Sequence, residues 1–252
     1  MKNFLKYRNF ENFLTELLSK TLIKISNILN NFSNIIVKIS TLIHPYRSIN
    51  NIDYLIKKYL PSILNNSTFF IEVGANDGLT QSNTFFLEKL YQAKGLLIEP
   101  SQSNFEKCLS NRSKENFFEN CALVDYQYQD KYIDLIFSNL MTITSKDSLR
   151  DTSKQIKKSR NYFNKTNYSF TAKASTLSDL LDKYKIKCVD FLSLDVEGFE
   201  LSALKGINFE KHKIKHILIE TDEYALIGDF LISKGFALVK KLTKHDYLFS
   251  LK

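Results

Sequence analysis

Four acidic residues, Glu72, Glu99, Asp195 and Glu220, each close an apolar, β-favouring run of this 252-residue chain. A carboxylate in that place can accept hydrogen bonds from ligand hydroxyls, meet a cationic group, or take a proton from a reacting hydroxyl. Glu72 opens the segment Glu72-Val-Gly-Ala-Asn-Asp-Gly78. Its two glycines, Gly74 and Gly78, permit backbone angles that a side chain forbids and let a ligand approach the main chain. Leu79, Phe85, Phe86, Leu87 and Leu90 follow at roughly helical spacing. Strand, Gly-rich turn and helix make the first unit of a nucleotide-binding α/β fold. Glu99 ends the next run, 21 residues after Gly78, where an acid is placed to accept hydrogen bonds from ribose hydroxyls.

Two common nucleotide fingerprints are missing. There is no Gly-x-Gly-x-x-Gly, which disfavours an NAD-dependent oxidoreductase, and no Gly-x-x-x-x-Gly-Lys-Ser/Thr of the P-loop type. The loop holds Asn76 and Asp77 and no Lys or Arg, which suits a ligand without phosphates. Asn76 and Asp77 either fix the loop by side-chain-to-backbone bonds or touch the ligand. An acid two residues before the first glycine resembles motif I of S-adenosylmethionine (SAM)-dependent methyltransferases, in which it meets the ligand's amino group. Two more segments extend the likeness: Ile98-Glu-Pro-Ser101, and Val189-Asp-Phe-Leu-Ser-Leu-Asp-Val-Glu-Gly-Phe-Glu-Leu-Ser-Ala-Leu-Lys-Gly206, entered through Ser175-Thr-Leu-Ser-Asp-Leu-Leu181. From about Phe69 to the C-terminus the chain resembles the FkbM family of SAM-dependent methyltransferases.

The resemblance implies that Glu72 and Gly74 line the methionine end of SAM, that Glu99 binds the ribose, and that Asp195 faces the methyl acceptor. Ala75, Asn76, Asp77, Gly78, Pro100 and Ala122 complete the expected cofactor contacts, with Asp195 at their edge. Methyl transfer needs alignment of acceptor and methyl group and, for a hydroxyl acceptor, a proton acceptor. Asp195 is the first candidate, with Glu197 and Glu220 as partners. Asp195 and Glu220 are also a candidate site for Mg²⁺ or another divalent cation, which favours carboxylate oxygens. Against these roles, Asp195 could cap the helix that begins near Gly198, and Glu197 and Glu200 could stabilise its positive end; Glu200 fits that structural role better. Asp125 reads as an exposed turn acid, with a place near the adenine as the alternative. His44 and His212 read as surface residues, His216 as a satisfied strand histidine, and His245 as a secondary candidate base. Cys108, Cys121 and Cys188 show no C-x-x-C spacing, so neither a disulfide framework nor structural zinc is expected. Cys121 and Cys188 read as buried and inert.

Predicted strands at 69–73, 95–98, 116–124, 132–137, 188–194, 214–219, 235–240 and 246–251 alternate with helices at 81–92, 103–111, 177–184, 198–205 and 224–234. The expected fold is Rossmann-like: a doubly wound, mostly parallel seven-stranded sheet with an antiparallel last strand. Residues 139–173, rich in Ser, Thr, Asn and Lys, read as an insertion that is either a lid or a surface excursion.

The formal charge is +8. Residues 1–66 hold nine Lys/Arg against three Asp/Glu, so the remainder is nearly neutral and no nucleic-acid partner is expected there. Within 1–66, expected as a helical N-terminal extension before a domain spanning 67–252, a second helix is predicted at 52–60. The first, predicted at 13–44, has Leu18, Leu22, Ile25, Leu29, Phe32, Ile36, Ile39 and Ile43 at alternating steps of 4 and 3, a heptad stripe. Such a helix packs on the main domain, forms a homo-oligomer, or lies on an anionic membrane surface. No secretory signal or spanning segment is legible, and a cytoplasmic protein, peripheral at a membrane in the third case, is expected. The acceptor implied by the resemblance is a hydroxyl on a sugar, glycan or secondary metabolite. The competing expectation is a catalytically silent SAM-binding scaffold.

Overall fold

The computed structural model describes residues 44–138, 141–144 and 168–252, and positions 21, 22, 24–26, 28, 29 and 32 of the N-terminal segment. The chain divides into two compact units, Met1–Pro45 and Tyr46–Lys252. In the first, Leu22, Ile25, Leu29 and Phe32 of the heptad stripe are helical and exposed; Leu18, Ile36, Ile39 and Ile43 lie outside the described residues. Among the described residues no helix is long and apolar enough to cross a membrane.

The second unit begins before the boundary expected from sequence. Helix α1 (Ile52–Tyr59) buries Ile52 and Ile56 in the same apolar cluster as Phe70 and Leu97 of the sheet, so it belongs with the sheet. Its start is tied by Ser48 and Asp53: Asp53 N donates to Ser48 Oγ at 2.8 Å, and Ser48 N donates back to Asp53 Oδ2 at 3.1 Å.

From there β1 (Phe69–Val73), α2 (Phe85–Tyr91), β2 (Lys94–Ile98), α3 (Gln102–Asn111) and β3 (Phe117–Glu119) form the first half of the sheet. After β4 (Ala122–Leu123), β5 (Tyr132–Ser138), β6 (Met141–Thr144) and β7 (Tyr168–Ser175), the second half is built from α4 (Leu177–Lys183), β8 (Cys188–Leu194), α5 (Glu200–Lys205), β9 (Lys213–Glu220), α6 (Tyr224–Ser233), β10 (Phe236–Lys241) and β11 (Asp246–Leu251). The seven-stranded order is β10-β11-β9-β8-β1-β2-β3. All neighbours are parallel except β11, which is antiparallel to β9 and to β10.

Side-chain alternation along each strand explains the two covered faces. Ile71, Val73, Leu96, Ile98, Leu192, Leu194, Ile217 and Ile219 join Leu181, Leu204 and Leu231 of α4, α5 and α6. The intervening Phe70, Leu97, Phe191 and Leu218 join residues of α1, α2 and α3.

The run 116–124 is two strands rather than the single one expected. Asn120 turns the chain by donating its side-chain amide to the carbonyls of Glu99 (2.8 Å) and Pro100 (3.1 Å). Beyond it β4 leaves the main sheet and pairs with β7 in a second sheet of order β4-β7-β5-β6. Strands β6 and β7 also occupy both ends of the expected insertion; 145–167 lie outside the described residues.

Candidate functional site

Strand β1 pairs with β2 on one side and β8 on the other. The chain winds outward in opposite directions from this pair, so a crevice opens at the carboxyl ends of β1 and β8. Gly74 stands at its floor with φ +79°, and a Cβ there would lie 2.0 Å from the Asp195 carbonyl oxygen. Both the backbone angle and the close approach demand glycine. Gly74 N and Ala75 N donate to Ile98 O at 3.0 Å each, which binds the loop to the end of β2.

Two cavities meet over Gly74, sharing Val73, Gly74, Asn76, Asp195 and Glu197. One is walled by Glu99 and Pro100 after β2, by Cys121, Ala122 and Leu123, by Ile133 and Leu135 of β5, and by Phe199. The other is polar: Asn50, Gln81 and Asn83 supply amides, Thr80, Ser82, Ser193 and Thr243 hydroxyls, and Glu72, Glu220 and Asp246 carboxylates. Non-glycine residues Asn50, Asn76, Gln81 and Glu197, with φ between 50° and 62°, all line this polar cavity. Left-handed conformations outside glycine cost energy, and they gather at functional clefts.

The expected site residues take different places. Glu99 is buried, and its two carboxylate oxygens accept backbone N–H bonds from Ser101 and Asn76, each at 2.8 Å. Burial nevertheless raises its carboxyl to about 7, because these two N–H groups do not outweigh desolvation and Asp77 adds repulsion. Each oxygen keeps a lone pair for a ligand hydroxyl.

Glu72 does not present a bare charge to a ligand amine, as the motif suggested. Its carboxylate accepts from Arg112 Nη1 (2.9 Å), Asn83 N (2.8 Å), Thr84 Oγ1 (2.7 Å) and Ser82 Oγ (2.9 Å). Arg112 is wholly buried and also binds Glu88 through Nε at 2.8 Å. Burial alone would raise Glu88, but Arg112 beside it outweighs that, and the carboxyl lies below its usual value.

Asp77 serves the loop: Oδ1 accepts from Leu79 N (2.9 Å) and Thr80 N (2.7 Å), and Oδ2 from Thr80 Oγ1 (2.7 Å). Gly78, also at φ +79°, packs where a Cβ would meet Arg112 Cγ at 2.8 Å. Asp195 is densely surrounded yet keeps part of its surface open to both cavities. Burial first, then Glu197, Glu220, Glu200 and Asp246, hold its carboxyl well above the usual range. Glu200 is buried and accepts from Gly198 N at 2.7 Å, closing the turn before α5.

Among the described residues no group of three or more His, Cys, Asp or Glu is arranged to hold a metal ion; Asp195 and Glu220 are two carboxylates of the polar cavity. Asp125 sits in a turn, accepting from Gln127 N at 2.9 Å, but is half-buried rather than exposed, with its backbone N donating to Ser202 Oγ at 3.1 Å. Cys121 is buried with its thiol pushed up to about 12 by desolvation. Cys188 is exposed, contrary to expectation, because it is the first residue of its strand. His212, read as a surface residue, is buried, with Nδ1 2.9 Å from Ile186 O. His216 contacts Ser250 Oγ at 2.7 Å, as a satisfied strand histidine should.

Sequence reasoning missed Arg112, Asn104, Ile133, Leu135, Phe199 and the amide residues of the polar cavity. Ile133 and Leu135 carried a signal, two apolar residues at strand period. Arg112 carried none.

The family model described as the methyltransferase FkbM domain matches residues 72–248. The chain belongs to the FkbM methyltransferase family. Methyl transfer is the family's chemistry. No match is found among curated proteins. Solved structures to which the chain is similar include a methyltransferase FkbM from Methylobacillus flagellatus KT, with 15% identity and a TM-score of 0.45 over 74% of this chain and 44% of that one. Thus the chain spans less than half the length of that FkbM protein. Aeropyrum pernix fibrillarin in complex with natively bound S-adenosyl-L-methionine is 11% identical, with a TM-score of 0.44 over 81% of this chain and 74% of that one. A precorrin-6y C5,15-methyltransferase from Geobacter metallireducens GS-15 is 10% identical, with a TM-score of 0.41 over 78% and 85%.

Proposed function

We propose that this FkbM domain transfers the methyl group of SAM to a hydroxyl oxygen of a polyhydroxylated acceptor, a sugar in a glycan or secondary metabolite. The observation that carries this reading is the pair of cavities of opposite chemistry meeting at Gly74 and Asp195. The apolar cavity fits an adenosine: Pro100, Ala122, Leu123 and Phe199 offer flat apolar contact to a base, and Glu99 offers two acceptor oxygens to ribose hydroxyls. SAM, when bound, supplies a carbon activated by its sulfonium. Asn76, Asp195 and Glu197, common to both cavities, would position the junction where that carbon meets the acceptor. Glu72 would act on the ligand through the loop 82–84, which it holds in place. The polar cavity suits hydroxyls, which pair with amides and carboxylates. Its carboxylates disfavour polyanions such as nucleic acid.

The test is calorimetry with SAM, its demethylated product S-adenosylhomocysteine, and NAD, followed by transfer of tritiated methyl from SAM to a panel of methyl glycosides. Binding of the first two ligands without NAD, and label on a glycoside, are expected. Binding of NAD alone would overturn the reading, and label appearing only on amines or nucleic acid would overturn the acceptor.

A further inference from the structure

We propose that His245, held by Asp222, is the catalytic base that takes the proton from the acceptor hydroxyl; this rests on the acceptor reading above. His245 lines the polar cavity beside Glu220 and Asp246. Its Nδ1 lies 2.5 Å from Asp222 Oδ1. A carboxylate at that distance requires the ring proton on Nδ1, so in the neutral ring the lone pair is on Nε2. Nε2 has no partner among the described residues.

The backbone is pinned at both ends of the pair. His245 N donates to Thr243 Oγ1 at 3.2 Å, and Thr221 N donates to His245 O at 2.9 Å. The dyad therefore bridges the end of β9 and the start of β11, on the acceptor side of the crevice. His245 keeps 34% of its side chain exposed and Asp222 63%, so the proton can pass on to water. A hydrogen bond so exposed adds little stability, which points to orientation as its role.

Asp195, the first candidate from sequence, borders both cavities at their junction, whereas His245 lines the polar, acceptor-side cavity alone. In the step itself, the acceptor oxygen forms its bond to the methyl carbon as its proton passes to Nε2. The carbon–sulfur bond breaks with its electron pair left on sulfur, and the imidazolium formed is paired with Asp222.

The test uses the full chain. Nitrogen NMR of ¹⁵N-histidine protein should show His245, assigned by its loss in His245→Gln, with the proton on Nδ1. Asp222→Asn should abolish that tautomer bias. With SAM saturating and a methyl glycoside as acceptor, His245→Gln should lower kcat by about 10²- to 10⁴-fold, while SAM affinity stays within about twofold. Asp222→Asn, a positioning variant, should lower kcat by at least about tenfold with KM unchanged. A His245→Gln enzyme with wild-type kcat, or a ring protonated on Nε2 alone, overturns the proposal. Absence of transfer by the wild type, with SAM bound, overturns the acceptor reading instead.

Discussion

Glu72 and Glu99 end neighbouring parallel strands, carry the same side chain, and are almost equally buried, with 4% and 5% of their surface exposed. Their surroundings are opposite. Glu72 faces a buried guanidinium and a set of hydroxyl and amide donors, all from the protein. Glu99 has two backbone N–H groups and, among the described residues, no cation, and burial lifts its carboxyl to about 7. A compensated carboxylate holds a fold together. An uncompensated one, buried at a cleft, is relieved by a ligand that donates hydrogen bonds. Position at a strand end therefore does not assign a role; the counter-charge does.

The largest effect expected from this contrast is on Arg112→Met. It would leave Glu72 and Glu88 buried without their cation and lower stability by about 3–5 kcal/mol, measured by urea unfolding. A smaller loss in Arg112→Met/Glu72→Gln would locate the damage in Glu72; an Arg112→Met protein of wild-type stability would break the contrast. Next, Gly74→Ala would force the loop between the two carboxylates off the Asp195 carbonyl, costing about 1–3 kcal/mol and abolishing S-adenosylhomocysteine binding in calorimetry. Glu99→Ala should bind that ligand about 10- to 100-fold more weakly while unfolding no more easily than wild type.

The pH dependence sharpens the same point. Below about pH 7 the empty protein carries a proton on Glu99 that hydroxyl donors must displace. Affinity should fall by up to about tenfold per unit as pH drops below 7 and level off above it. Because the folded carboxyl titrates above its ordinary value of 4.5, the ligand-free fold holds that proton longer than the unfolded chain. Its contribution to stability therefore declines as pH rises from about 4.5 to 7, and Glu99→Ala should remove that slope in urea titrations. The smallest effect belongs to Asp77→Ala, which breaks loop bonds and costs about 1 kcal/mol with little change in affinity.

Much of this was legible in the chain. Apolar runs marked the strands, and β8 (Cys188–Leu194) and β11 (Asp246–Leu251) begin and end where the pattern does. The glycine loop was readable because a left-handed angle restricts residue type strongly. Helix α2 was expected from residue 81 but starts at Phe85, because residues 82–84 wrap the Glu72 carboxylate instead of propagating a helix. Likewise β4 was read as the end of β3, since nothing local reveals that Asn120 redirects the chain.

By itself, then, the sequence determined the order of strands and helices in the main sheet, the four acids at strand ends, and the family, all of which rest on local periodicity and contiguous motifs. Only the tertiary structure decided which acid is neutralised, which cavity is apolar, and which histidine meets a carboxylate. Arg112 stands 40 positions from Glu72, and Asp222 meets His245 only where β11 returns antiparallel beside β9. Such pairings depend on distance in space, and the charge of a buried group is set by the neighbours that folding brings to it.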